Sequence, residues 1–390
     1  MQQHALHVLH LLPLCCPHRM AGAESSFLLE LPDACLLRVL QCLAADDQRS
    51  LFNAARAHNK LRQTARHALR SITVQASRQQ QMDAIMVYLG EHGQQVNSLD
   101  LSGPNLDNVI LVTDSDDDDD GVIHLRQLPR TADGSEFDGA DVGPLQLSSL
   151  QFQDLSLQLQ PGNGFQGVLG SATTNAELKQ LRLNRCNVHD NEPIKAMAAA
   201  LSQLPAGLEH LSIQNLDNEL GGRVQFPAGA LQQLQHLTYL ELGSVDIVGP
   251  VEQPLQSLTR LASLKLDSLL GVVVTSSMLS GMQLLTRLEL SPDWRLEETE
   301  VELEPGALAG KTQLQHLCLS GCDIQGNAAG VAQLLSHLQA MQQLTHLCMH
   351  HSLLEGEDSS PPASAYAALT ASSKLQHLDI RECILPAGVW

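Results

Sequence analysis

Leu261-Ala262-Ser263-Leu264-Lys265-Leu266 is the stretch that decides the fold, because its spacing, L-x-x-L-x-L, returns along most of the chain. The clearest copies are Leu178/Leu181/Leu183, Leu208/Leu211/Ile213, Leu237/Leu240/Leu242, Leu285/Leu288/Leu290, Leu314/Leu317/Leu319, Leu344/Leu347/Met349 and Leu375/Leu378/Ile380. Weaker copies precede them at Val96/Leu99/Leu101 and Leu147/Leu150/Phe152. Self-similarity at intervals of about 24 to 31 residues marks a chain built from stacked units rather than around one central core.

The L-x-L portion is a short strand, and alternate side chains of a strand point to opposite faces. Its leucines therefore enter the interior and the residues between them face out. A single unit cannot cover its own apolar edge, but its neighbours can. The predicted fold is an α/β solenoid with a curved parallel sheet on its concave side and helices or turns on its convex side. Ten candidate strands spaced at about 4.8 Å predict a concave surface on the order of 40 Å long.

The recurrence resembles the leucine-rich-repeat family over residues 94–390. That family often places Asn or Cys eight positions after the first leucine, where the side chain bonds to loop backbone; Cys186, Cys322 and Cys383 stand in that slot here. Leu216, Val245, Leu269, Asp293 and Ser352 occupy it in other repeats, so the series is interrupted. The 24-residue repeats from Leu237 and Leu261 contain turn-like stretches such as Val248-Gly249-Pro250 and resemble the plant-type variety. Longer repeats carry helical spacing, as in 194–204 and 328–338.

Residues 27–70 depart from the repeat. Pro32 suits a first helical turn, and Leu36, Leu37, Leu40 and Leu43 then trace one apolar helical face. Asp46 or Asp47 caps a second helix that carries Leu51, Phe52, Ala55, Leu61, Ala65 and Leu69. This order resembles the F-box, with Leu61 near the place of that family's common tryptophan. The resemblance implies a helical module that docks on the Skp-type adaptor of a cullin-RING ubiquitin ligase. Leu31, Pro32, Leu36, Leu37, Val39, Leu40 and Leu43 would then supply packing and adaptor contacts, while the repeats recruit a target protein. The other expectation is a repeat scaffold, cytoskeletal or ciliary, whose N-terminal helices only close the solenoid.

Residues 71–93, with Met82, Ile85, Met86 and Leu89 on one face, are expected to be a connecting helix. Residues 1–26 read as a disordered tail: the apolar run from Ala5 to Cys16 lacks a basic leading segment and is broken by His7, His10 and Pro13. An acidic insertion at 102–144, with Asp116 to Asp120 in succession, is expected to stay solvated and disordered because like charges repel.

Composition excludes several function classes. A net charge of -20 argues against binding nucleic-acid phosphates. The nine cysteines are odd in number and scattered, which points to thiols in the cytosol or nucleus. No apolar run approaches the length a membrane span needs.

Gly306-Ala307-Leu308-Ala309-Gly310-Lys311-Thr312 is one residue short of a phosphate loop and is followed by a strand, so nucleotide binding is not expected. His316, Cys318, His346 and Cys348 fall on adjacent outward positions where a four-ligand zinc site is conceivable. The phrase L-Q-H-L also occurs away from the strands, at 234–237, and reads as drift of a repeated phrase, so no metal or cofactor is expected. No catalytic constellation stands out. Strand alternation instead predicts partner contacts at Arg182, His210, Tyr239, Glu241, Lys265, Arg287, Glu289, His316, Cys318, His346, Cys348, His350, His377, Asp379 and Arg381.

Overall fold

The computed structural model describes residues 71–75, 96–103, 147–153, 156–158, 177–189, 204–218, 223–269, 271–292, 301–325, 327–350, 363–381 and 383, the pair His124–Leu125, and single positions at 36, 39, 40, 60, 61, 64, 85, 89 and 201. Eleven strands form one parallel path. They are β1 (Ser71–Gln75), β2 (Ser98–Ser102), β3 (Ser149–Gln153), β4 (Gln180–His189), β5 (His210–Asn218), β6 (Tyr239–Gly243), β7 (Ser263–Asp267), β8 (Arg287–Ser291), β9 (His316–Leu319), β10 (His346–Cys348) and β11 (His377–Asp379). Each pairs in parallel with the strand of the next unit. Leu240, Leu264, Leu288, Leu317, Leu347 and Leu378 consequently share one row of the sheet.

The buried row explains the sequence pattern. Leucines of the motif from Leu178 to Leu347 are essentially inaccessible, and one continuous core runs from Ile72 to Leu369. Fully burying such a side chain contributes about 1.5–3 kcal/mol, so the repeated motif is the main source of stability. Outside the core, backbone stitching repeats as well. Thr238, Thr286 and Thr345 each donate an amide and a hydroxyl hydrogen to one carbonyl of the preceding unit, at Glu209, Ala262 and Gln315 respectively.

The sheet begins one strand earlier than the sequence pattern indicated. Ser71–Gln75 pairs in register with Ser98–Ser102, so the start of the expected connecting helix is a strand. Ile72 and Val74 supply its inward alternation, and neighbour pairing supplies the hydrogen bonds that a lone five-residue segment lacks. Ile85 and Leu89 are helical, and both pack on the solenoid core. The acidic insertion also differs from its expected bounds: Ser102 belongs to β2, and His124–Leu125 pairs with Ser156–Leu157, which in turn extends beside β4.

Away from the concave sheet the repeats differ in kind. Asp246–Val248 pairs with Gln225–Pro227, and Val272–Val274, Val301–Leu303 and Asp323–Ile324 form a three-stranded set. The turn expected at 248–250 is confined to Gly249, whose φ of 94° lies in the region open to glycine. Two short helices follow, α1 (Glu252–Gln256) and α2 (Ser276–Ser280), the second capped by Thr275 on the amide of Met278. The expected helix near 328–338 is α3 (Asn327–Ala340); it buries Val331, Leu334, Leu335 and Leu338 at helical spacing. The other expected helical segment, 194–204, lies largely outside the described residues, though Leu201 is helical and buried.

The slot eight residues past the first leucine behaves as its chemistry requires. Cys186, Cys322 and Cys383 each direct a thiol at the carbonyl of the third motif residue one unit back: Phe152 at 3.7 Å, Leu290 at 3.4 Å and Met349 at 2.7 Å. Leu216, Val245 and Leu269 fill the same slot with apolar burial alone. One position earlier the backbone turns left-handed, with φ of 49° at Arg185, 48° at Asn215, 53° at Ser244, 52° at Ser268 and 72° at Gly321.

Candidate recognition surface

Outward residues of the eleven strands stand in columns, because every pairing is parallel and in register. The column that opens each strand runs His210, Tyr239, Ser263, Arg287, His316, His346, His377 from β5 to β11. The central column runs Arg182, Ser212, Glu241, Lys265, Glu289, Cys318, Cys348, Asp379. All of the residues predicted from alternation lie on these columns or, for His350 and Arg381, two positions farther along the same strand direction.

Glu241 organises the middle of the face. Ser212 donates to its Oε2 at 2.6 Å, Tyr239 donates to the same oxygen at 3.0 Å, Gln214 donates to Oε1, and the Lys265 ammonium lies 2.8 Å from Oε1. Burial pushes this carboxyl up, but the hydrogen bonds from Lys265 and Ser212, with the Lys265 charge, outweigh it and hold the group below its ordinary value. Glu241 was expected to contact a partner; its oxygens are instead occupied within the face, and its side chain is only 10% exposed. Burial pushes Lys265 down, while the bond and charge of Glu241 prevail and raise it.

Beside this anchor the His210 and Tyr239 rings stack at 4.0 Å between centroids, 2° from parallel. Arg182 Nε donates to His210 Nε2 at 3.0 Å. Burial and then the Arg182 charge push His210 down to about 4, so it is a neutral acceptor at physiological pH. Burial and the Glu241 carboxylate push Tyr239 up to about 12. Four strands are thereby joined by one polar chain, Arg182–His210–Tyr239–Glu241–Lys265.

The last third of the arc is chemically different. Arg287 pairs with Glu289, which also lies 2.9 Å from His316 Nε2. His316, His346 and His377 form a ladder with centroid separations of 5.3 and 5.7 Å. Cys318 and Cys348 are register partners beside it, and burial, with the neighbouring Cys348, pushes Cys318 up to about 12. Arg381 grips Asp379 through two bonds of 2.9 and 2.7 Å, and this pair holds the carboxyl down to about 2. Among the described residues no group of three or more His, Cys, Asp or Glu is gathered as a ready-made metal cage.

Sequence reasoning passed over Ser212, Gln214 and Thr345. Ser212 and Gln214 complete the Glu241 shell, and Thr345 contacts the His346 ring. Their place beside charged column members was the available signal.

In the N-terminal segment, Leu36, Val39 and Leu40 are helical; Leu36 and Leu40 are buried, and Val39 is half-buried. Leu31, Pro32, Leu37 and Leu43 lie outside the described residues. The glycine-rich stretch at 306–312 is settled by Lys311, whose ammonium donates to the carbonyls of Leu279 at 2.6 Å and Met282 at 3.2 Å. A buried cation spent on backbone is not a phosphate ligand.

The fold is similar to that of the leucine-rich-repeat protein LIC12759 of Leptospira interrogans, with a TM-score of 0.50 and 17% identity over 85% of this chain; the chain spans 66% of that protein's length. Weaker similarity reaches the internalin InlF of Listeria monocytogenes, with a TM-score of 0.42, 16% identity, and coverage of 83% of this chain and 84% of that one. It also reaches the ectodomain of the Arabidopsis thaliana receptor kinase GASSHO1/SCHENGEN3, with a TM-score of 0.46, 18% identity, and coverage of 75% and 28%. No protein-family model matches the chain, and no curated protein matches it in sequence. Its architecture is that of a leucine-rich-repeat solenoid. No helix among the described residues is long and apolar enough to cross a membrane.

Proposed function

We propose that the chain is a recognition subunit that holds a target protein on its concave face and joins it, through the N-terminal helical module, to the Skp-type adaptor of a cullin-RING ubiquitin ligase. The observation that supports recognition is the concave face itself: eleven parallel strands whose polar side chains are ordered into columns, extending about 50 Å at ordinary strand spacing. The ligase assignment rests on the F-box resemblance of residues 27–70. Buried Leu36 and Leu40 beside a more open Val39 accord with this reading. Residence in the cytosol or nucleus accords with this role and with described cysteines that form no disulfide.

The test is co-purification of the full chain with the adaptor, followed by size-exclusion chromatography, against a Val39→Asp variant. Changing Val39 spares the buried leucines, and circular dichroism verifies that the variant folds. A complex lost on substitution supports the ligase reading. A folded wild-type chain that elutes apart from the adaptor refutes it and leaves a repeat scaffold.

A further inference from the structure

We propose that the imidazoles of His316 and His346, side by side on β9 and β10, bind a divalent first-row transition-metal ion such as zinc on the concave face. The two residues are register partners in parallel strands, and their rings lie 5.3 Å apart, tilted by 32°. Two imidazoles bound to one ion at metal–nitrogen distances of about 2.0–2.1 Å and a near-tetrahedral angle have centroids about 5 Å apart. Strand pairing alone therefore sets a spacing suited to a shared ion.

Hydrogen bonding leaves each ring one nitrogen lone pair available. The Thr345 hydroxyl hydrogen is spent on the Gln315 carbonyl at 2.8 Å, so toward His346 Nδ1, 2.9 Å away, that hydroxyl is an acceptor. His346 Nδ1 then carries the hydrogen and Nε2 carries the lone pair. In His316 the Nε2 lies 2.9 Å from the Glu289 carboxylate. The neutral ring donates Nε2–H to that oxygen and keeps its lone pair on Nδ1. Metal-binding histidines characteristically give their other ring hydrogen to a carboxylate or similar acceptor, and both rings already do so.

The surroundings suit an open, exchangeable site. Charged and titratable groups on the neighbouring strands are Arg287 and Glu289 on β8, Cys318 on β9, Cys348 on β10 with His350 just beyond it, and His377 and Asp379 on β11 with Arg381 just beyond it. Arg287 is paired with Glu289 and Arg381 with Asp379, so both cationic groups are countered. Among the described residues a third protein ligand is not preassembled. Water, or a donor atom of a docked molecule, completes the shell.

The test is calorimetric titration of zinc chloride into the tag-free, chelator-stripped full chain near neutral pH. One saturable ion per chain is expected, with affinity at least tenfold weaker in His316→Ala and in His346→Ala. Thr345→Val removes the acceptor that orients the ring and weakens binding by about tenfold. Binding is expected to survive both His236→Ala, at an exposed histidine on another part of the surface, and Cys318→Ser with Cys348→Ser. Loss of saturable binding in the serine double variant would transfer the site to the thiols and overturn the proposal. Unchanged zinc affinity in a folded His346→Ala chain, or no saturable event in the wild type, would do the same.

Discussion

The Lys265 ammonium lies 2.8 Å from the Glu241 carboxylate, on a floor where Ser212, Gln214 and Tyr239 donate to the same group. The folded-state pKa of Glu241 is depressed, so the group stabilises the fold above the ordinary glutamate range near 4.3, and the contribution is lost as pH falls through the folded-state value. Glu241→Gln should cost about 1–3 kcal/mol at neutral pH. It should also flatten the fall in melting temperature as pH drops below about 5, where the unfolded-state carboxyl begins to take up its proton ahead of the folded one. Melts across this range check it; equal acid sensitivity in both proteins would refute the assignment.

Ser244 holds a φ of 53°, where Gly321 fills the corresponding position of its own repeat at 72°. The left-handed region disfavours side chains with a Cβ, and glycine regains that energy at the expense of a freer unfolded chain. Ser244→Gly should raise stability by about 0.5–1 kcal/mol. Gly321→Ala should lower it by more, because a Cβ there would also meet Pro292 Cγ at 3.2 Å. Urea midpoints that move in the same direction for both would contradict this account.

Lys311 bridges two units by donating to Leu279 and Met282. Lys311→Ala removes a buried stem and these donors, for an expected loss of about 1–3 kcal/mol. Lys311→Met keeps the stem and relieves the desolvated charge, so it should fall between alanine and wild type. Added ATP should leave the melting temperature of the wild type unchanged. A nucleotide-dependent rise abolished by Lys311→Met would restore the phosphate-loop reading.

Cys186 and Cys322 are buried, and burial pushes the Cys322 thiol well above its ordinary range. Alkylation of the native chain at mildly alkaline pH, read by peptide mass spectrometry, should leave these two unmodified longest among the described cysteines. Cys348, half-exposed on the concave face, should react before them. Equal rates would mean that the repeats open locally on the labelling timescale.

Much of the concave face was legible because two short periods coincide there. Strand alternation orients each side chain, and the repeat interval brings equivalent positions into register, which is why the sequence alone aligns His316, His346 and His377. β1 escaped notice because Leu69, Ile72 and Val74 keep the repeat spacing with a single leucine, and Leu69 also fits the apolar face of the preceding helical segment; its identity comes from pairing with β2. Asp246–Val248 is likewise a strand only because Gln225–Pro227 lies beside it. The role of Glu241 was hidden for a different reason. Alternation orients a carboxylate outward but does not register how many neighbouring donors converge on it.

The hydroxyls of Thr238, Thr286 and Thr345 have a mechanical corollary. Each fastens its own unit to the one before, and adjacent units carry the load in series. Tension along the axis would peel such a molecule from one end in successive steps rather than rupture it at once. Its natural deformation would be that of a spring, which lengthens a little at every coil and so alters the width of its hollow.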